Sequence, residues 1–165
     1  MSITAVVVAA DLRLLGQTLA AVDGQTSPPD RVVVVDANGL GEGLTDLIEG
    51  LGLGIDVETH AAPEAPTLGA AVNSLLDEGE VEAEWLWLLH DDSPPEPEAL
   101  AELVRATVTA RAVGIAGCKQ VDIEHPDRLL SVGVKHTRAA RRVTEIEPGQ
   151  IDQGQYDDRE DTYAV

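Results

Sequence analysis

Trp85-Leu86-Trp87-Leu88-Leu89-His90-Asp91-Asp92-Ser93-Pro94-Pro95-Glu96-Pro97 is an apolar run that stops at two adjacent carboxylates and then enters a proline-rich approach to a helix. Buried strands of open α/β sheets bind ligands beyond their carboxyl ends, and a metal ion or a phosphate suits such an ending. Neighbouring aspartates repel and shift one another's pKa unless a divalent cation or solvent compensates. The same residues also read as an acidic turn before a helix, since Asp and Ser are common in turns and caps. The rest of the chain bears on that choice.

Upstream, Ile3 to Ala10 is an almost unbroken β-branched and small apolar run, as expected of a strand covered on both faces. Asp11 is placed to cap a helix whose Leu12, Leu15, Leu19 and Val22 recur at spacings of three and four. Gly24 and Ser27-Pro28-Pro29 end it. Arg31 to Asp36 is a second continuous strand closed by a carboxylate, Ala37-Asn38-Gly39 turns the chain, and a short helix is expected around Leu44 to Glu49. Ile55 to Thr59 reads as a third strand. Thr67 can cap a helix with Leu68, Val72, Leu75 and Leu76 inward.

Downstream, Leu100, Leu103, Val104 and Val108 give another amphipathic helix, with Glu96 and Glu98 suited to its positive end. Val113 to Cys118 is expected to form a further buried strand. Alternating strands and helices predict a parallel sheet with right-handed crossovers. Beyond Lys119 the pattern changes: Leu129 to Val134 and Arg142 to Ile146 read as short strands around a basic turn, Lys135 to Arg141. From Glu147 the chain reads as an extended or frayed acidic tail.

Composition excludes several classes of partner. A formal net charge of -19 argues against nucleic acid and against an anionic membrane surface, both of which attract basic faces. No apolar run reaches the roughly 20 residues of a membrane-spanning helix. The start, Met1-Ser2-Ile3-Thr4, lacks the basic segment of a secretion signal, and the single Cys118 suits a reducing compartment, so a cytoplasmic location is expected. Phe is absent and Tyr and Trp number two each, so the core must be assembled from many small aliphatic contributions.

Five segments occur in an order that carries a resemblance: Ile3-Thr4-Ala5-Val6-Val7-Val8; Leu19-Ala20-Ala21-Val22-Asp23-Gly24-Gln25-Thr26; Pro29-Asp30-Arg31-Val32-Val33-Val34-Val35-Asp36; Gly69-Ala70-Ala71-Val72-Asn73; and His90-Asp91-Asp92. In these the chain resembles the nucleotide-binding half of family 2 (GT-A fold) glycosyltransferases. Asp127-Arg128-Leu129-Leu130-Ser131-Val132-Gly133 and Asp152-Gln153-Gly154-Gln155-Tyr156-Asp157 look like a branch found in bacterial envelope-polysaccharide enzymes.

The resemblance implies an α/β fold: a Rossmann-like, mainly parallel GT-A sheet with helices on both faces, truncated before the acceptor half. Residues 1–120 would form the nucleotide-sugar-binding domain. Residues 121–165 would begin the acceptor-side region. It further implies a UDP-, GDP- or dTDP-sugar donor. Asp36 would accept hydrogen bonds from base and ribose, and Ala9 and Ala10 would offer backbone groups to the base. Asp11, Asn38, Asn73 and Asp91 join them as nucleotide-binding residues. Asp11 reads equally well as a helix cap, and Asn73 as an exposed helix position.

Asp92 falls on the last aspartate of the family's Asp-X-Asp element, which holds Mg2+ or Mn2+ against the diphosphate. His90 stands where the first aspartate is usual, and imidazole suits Mn2+ better than Mg2+. Lys119, Lys135, Arg138, Arg141 and Arg142 read either as contacts to anionic substrate groups or as a solvated basic turn.

The family's inverting members take a carboxylate base from beyond the first half of the fold. No Gly-Gly-Phe-Asp-like element is present, and Asp157, Asp158, Glu160 and Asp161 lie in another context. The chain stops at Thr162-Tyr163-Ala164-Val165, where a further strand is expected to begin. The first reading is therefore a hexosyltransferase-class donor-binding part lacking its base region. The second is a non-catalytic GT-A-like module that binds a nucleotide or a protein partner, with self-association through an exposed apolar edge. A receiver-like phosphoryl-transfer domain is a third, opposed by the lack of an acidic pair at the first strand and of a Gly-Lys-Ser/Thr phosphate loop.

Overall fold

The computed structural model describes residues 1–65, 67–79, 81–109, 113–133, 135–139 and 141–157. The chain forms two compact units, Met1–Ala101 and Glu102–Val165. The first unit is a four-stranded parallel sheet built from β1 (Ile3–Ala9), β2 (Arg31–Asp36), β3 (Val57–Ala61) and β4 (Trp85–His90), in the order β3-β2-β1-β4. Helices α1 (Leu12–Asp23), α2 (Glu42–Leu51) and α3 (Leu68–Asp77) connect the strands, and α4 (Ala99–Thr109) follows β4. This is the α/β architecture expected from the alternating pattern.

The valine runs of the two central strands are buried on both faces because helices cover both. Val6, Val8, Val33 and Val35 pack with Ala71, Val72 and Leu75 of α3. Side chains alternate along a strand, so Ala5, Val7, Val32 and Val34 point to the opposite face, and all four are fully buried. Right-handed crossovers place α1 and α2 there, since β1, β2 and β3 advance in one direction while the chain returns past β1 to reach β4. Leu15, Leu19 and Val22 form the buried stripe of α1. Gly16 of α1 faces α2, where a Cβ would stand 3.6 Å from Leu47 Cδ1, an ordinary contact distance.

Local capping follows the sequence. The Asp11 carboxylate accepts from the Arg13 N–H at the start of α1, and Thr67 Oγ1 accepts from the Ala70 N–H at the start of α3. The third strand, expected over Ile55 to Thr59, is displaced to Val57–Ala61. Asp23 Oδ1 accepts from the N–H groups of Gly54 and Ile55 at 3.0 Å each, holding that segment in a turn before pairing with β2 begins.

The second unit departs further. No strand forms over Val113 to Cys118, and Ile115 is 71% exposed. Two glycines in six residues weaken that run, and among the described residues it pairs with nothing. Short β5 (Gln120–Val121) pairs antiparallel with β6 (Leu129–Ser131), and β7 (Lys135–His136) with β8 (Arg142–Val143). The expected strands thus shrink around the basic turn, and Val134 lies outside the described residues.

The acidic segment after Glu147 is not frayed up to Asp157. The Leu129 N–H donates to the Gln150 carbonyl at 2.8 Å and the Asp152 N–H to the Asp127 carbonyl at 2.7 Å. Lys119 Nζ lies 2.6 Å from Asp152 Oδ2 and 2.5 Å from Asp157 Oδ1. Lys119 is therefore engaged with carboxylates of its own unit. Asp158, Glu160, Asp161 and the terminal Thr162 to Val165 lie outside the described residues. Among the described residues no helix is long and apolar enough to cross a membrane.

Candidate functional site

The strand order reverses at β1: β2 follows on one side and β4 on the other. In open α/β sheets that switch point, at the carboxyl edge, is where ligands bind. Ala9 pairs with Asp36 and Val8 with His90, so the ends of β2, β1 and β4 bring Asp36, Ala9 to Asp11 and His90 to Asp92 to one edge.

Asp36 is 6% exposed, and its carboxylate is enclosed by its own loop. Oδ1 accepts from the N–H groups of Asn38 at 3.2 Å and Leu40 at 2.9 Å, and Oδ2 from Gly41 at 3.1 Å. Gly39 and Gly41 take φ values of 70° and 57°, which lets the backbone curl around the carboxylate. Burial pushes the Asp36 pKa up, but the surrounding N–H groups of Leu40, Gly41, Asn38 and Gly39 outweigh it and hold the group below its ordinary value. Oδ2, with Gly41 as its hydrogen-bond donor, is the less engaged of the two oxygens.

The loop after β1 is held as firmly. Asp91, 3% exposed, turns its side chain inward, and Oδ2 accepts from the N–H groups of Ala10 and Asp11 at 2.6 Å each. Its backbone N–H donates to Val8, and its carbonyl accepts from Thr18 Oγ1 at 2.7 Å. The Ala9 carbonyl accepts from Ala37, and the Ala10 carbonyl from Asn38 Nδ2 at 3.1 Å. Asp11 caps α1 and pairs with Arg13, whose side-chain and backbone hydrogen bonds lower its pKa to about 2. Asn73 lies exposed on α3 and joins none of these bonds.

His90 and Asp92 face outward, with side chains 46% and 56% exposed. His90 Nδ1 stands 3.0 Å from Asp91 Oδ1 and 3.3 Å from Asp92 Oδ1. Carboxylate oxygens accept, so each of these contacts is a hydrogen bond when Nδ1 carries a proton. One ligand atom from each of His90, Asp91 and Asp92 lies within 4.8 Å of the others, an arrangement that can hold a metal ion. Mixed imidazole and carboxylate donors fit Mn2+ and are less suited to Mg2+.

Two supporting residues were not singled out by the sequence. Thr18 is fully buried beneath Asp91. Gln25 donates through Nε2 to the carbonyls of Ala21 and Glu96, and its Oε1 accepts from the Leu100 N–H at 3.0 Å. The available signal for Thr18 was a hydroxyl within the stripe Leu15, Leu19 and Val22.

The family model described as glycosyltransferase like family 2 matches residues 2–163. The chain belongs to that family. Among solved structures, S. aureus TarS 1-349 in complex with UDP-GlcNAc is similar at 14% identity and a TM-score of 0.53, over 72% of this chain and 38% of that one. A further structure of S. aureus TarS 1-349 is similar at 15% identity and a TM-score of 0.55, over 80% of this chain and 42% of that one. This likeness is one of GT-A fold, and this family 2 chain spans about two fifths of the TarS structures. No curated protein sequence matches it significantly.

Proposed function

We propose that the chain is the donor-binding part of an inverting glycosyltransferase that takes a nucleotide-diphosphate sugar at the carboxyl edge of its sheet. The observation that carries this reading is the convergence of Asp36, the β1 loop and His90-Asp91-Asp92 at the switch point. UDP-GlcNAc is bound by TarS, which shares the fold, and a UDP-sugar heads the candidates ahead of GDP- and dTDP-sugars.

Asp36 meets the base or ribose through Oδ2, the less engaged of its two oxygens. Ala9 and Ala10 offer the second lone pairs of their carbonyls, Asn38 and Asp11 border the nucleotide, and Asn73 lies toward the diphosphate. Asp92 and His90 hold the divalent ion, and Asp91 enters the site through the loop it secures. When bound there, the ion neutralises charge on the departing nucleoside diphosphate. Residues 1–120 carry this donor function and residues 121–165 begin the acceptor side, in a cytoplasmic enzyme of envelope-polysaccharide synthesis. The free Cys118 agrees with a reducing compartment.

A second reading, a non-catalytic module of the same fold that binds a nucleotide or a protein partner, draws on one observation. Asp152 and Asp157 are both spent on Lys119 rather than open to act as a base. Thermal melts with UDP, GDP and dTDP, with and without Mn2+, separate the readings. A ligand at about 100 times its dissociation constant adds roughly 2.7 kcal/mol, a rise on the order of 5 to 10 °C for a chain of this size. A Mn2+-dependent rise with one nucleotide supports the donor site. No rise with any of them removes it and leaves the protein-binding module.

A further inference from the structure

The geometry points to Asp91 as a positioning residue for the nucleotide, acting through the β1–α1 loop rather than by touching the ligand. This rests on the donor-site reading above. Three observations carry it. Asp91 is 3% exposed, whereas its neighbours in the motif face solvent. Its Oδ2 takes both N–H groups that the loop offers, those of Ala10 and Asp11, at 2.6 Å. Its main chain is fastened in turn, through Val8 and Thr18.

The consequence is chemical as well as mechanical. With both donors consumed, Ala10 and Asp11 keep only acceptors for other partners, and the loop meets a base through carbonyl lone pairs. The backbone of Asp91 leads directly into Asp92, so one residue fixes both the loop toward the base and the strand end that carries the outward carboxylate.

The test uses the full chain with Asp91→Ala, Asp91→Asn and Thr18→Val, read by 15N-resolved amide shifts and by UDP titration without metal. In the wild type the Ala10 and Asp11 amide protons resonate downfield, as expected of short bonds to a carboxylate. In Asp91→Ala they move upfield and UDP affinity falls roughly tenfold. Asp91→Asn keeps an oxygen for the two donors, its NH2 pairs with His90 Nδ1 when the imidazole carries its proton on Nε2, and it restores most of the affinity.

A lower melting temperature with unchanged UDP affinity in Asp91→Ala makes the residue merely structural and overturns the proposal. Asp91→Asn binding as weakly as Asp91→Ala overturns it in favour of a direct ligand contact. If Asp91→Ala does not fold, Thr18→Val decides: shifted Ala10 and Asp11 amides with weaker UDP binding support the role, and unaltered values of both overturn it. A wild-type chain that binds no UDP, GDP or dTDP overturns the donor-site reading and the positioning role together, while the downfield amides still report the clamp.

Discussion

Asn38 Nδ2 donates to the Ala10 carbonyl at 3.1 Å, so the loop after β2 and the loop after β1 form one surface rather than two. Asn38→Ala removes that link while leaving the backbone ring around Asp36 in place. A side-chain hydrogen bond of this kind contributes about 1 kcal/mol. Nucleotide affinity is expected to fall roughly fivefold, with little change in melting temperature. Calorimetric titration with UDP measures it, and an unchanged affinity removes Asn38 from the site.

Asp92→Ala and Asp36→Ala should separate the two halves of donor binding. Asp92 is exposed, and among the described residues its side chain meets only its chain neighbours His90 and Ser93, so its loss should abolish the Mn2+-dependent part of nucleotide affinity and leave the fold intact. Asp36→Ala strands three backbone N–H groups at a buried site, at a cost of about 2 to 3 kcal/mol, and weakens nucleotide binding with or without metal. Titrations of both variants at zero and saturating Mn2+ give the comparison. Equal Mn2+ enhancement in Asp92→Ala and wild type would rule out Asp92 as a ligand.

Gly16 and Gly50 sit inside helices at positions with ordinary room for a methyl group. A Cβ at Gly16 meets Leu47 Cδ1 at 3.6 Å, and one at Gly50 meets nothing within 4 Å. Each change to Ala is expected to stabilise by about 0.5 to 1 kcal/mol by lowering the entropy of the unfolded chain. Urea denaturation checks this. Gly52, at φ 59°, is the contrasting position, where Ala is expected to destabilise.

Stability should fall away at both extremes of pH, for different residues. Asp36 is held below its ordinary value of 3.8 and Asp152 likewise, the latter by Lys119. Their contribution is complete above that value and is lost as pH falls through the lower folded pKa values. Lys119 is raised above 10.5 by Asp152 and Asp157. Its contribution is complete below 10.5 and is lost as pH rises through the higher folded value. Urea midpoints across pH should show Asp36→Asn flattening the acid limb and Lys119→Met the alkaline one.

The first unit was legible because its signals were redundant. Continuous valine runs, Asp11 and Thr67 caps and terminal carboxylates each pointed to the same strand–helix alternation, and the structure bears it out. The second unit offered short apolar runs without such agreement, and Val113 to Cys118 shows how an apolar segment with two glycines can fail to become a strand. In the site, the edge and its residue types were readable, but the direction of each side chain was not. A sequence displays Asp91 and Asp92 as equivalents, whereas the turn after β4 buries one and exposes the other. Likewise, a carboxylate at Asp36 announces an acceptor without revealing that three of its own backbone donors claim it first.

Gln25 gives the Pro-rich stretch after the motif a mechanical character. At one end Asp91 is pinned to Val8 and Thr18; at the other Gln25 grips Glu96 and Leu100, and the Thr26 N–H holds the Pro97 carbonyl. Pro94, Pro95 and Pro97 stiffen the span between. Asp92 therefore rides on a tethered bridge whose adjustments are rotations of a side chain rather than excursions of a loop. Ion capture at such a place requires little chain ordering, so its entropy cost falls on the ligand and its water, not on the protein.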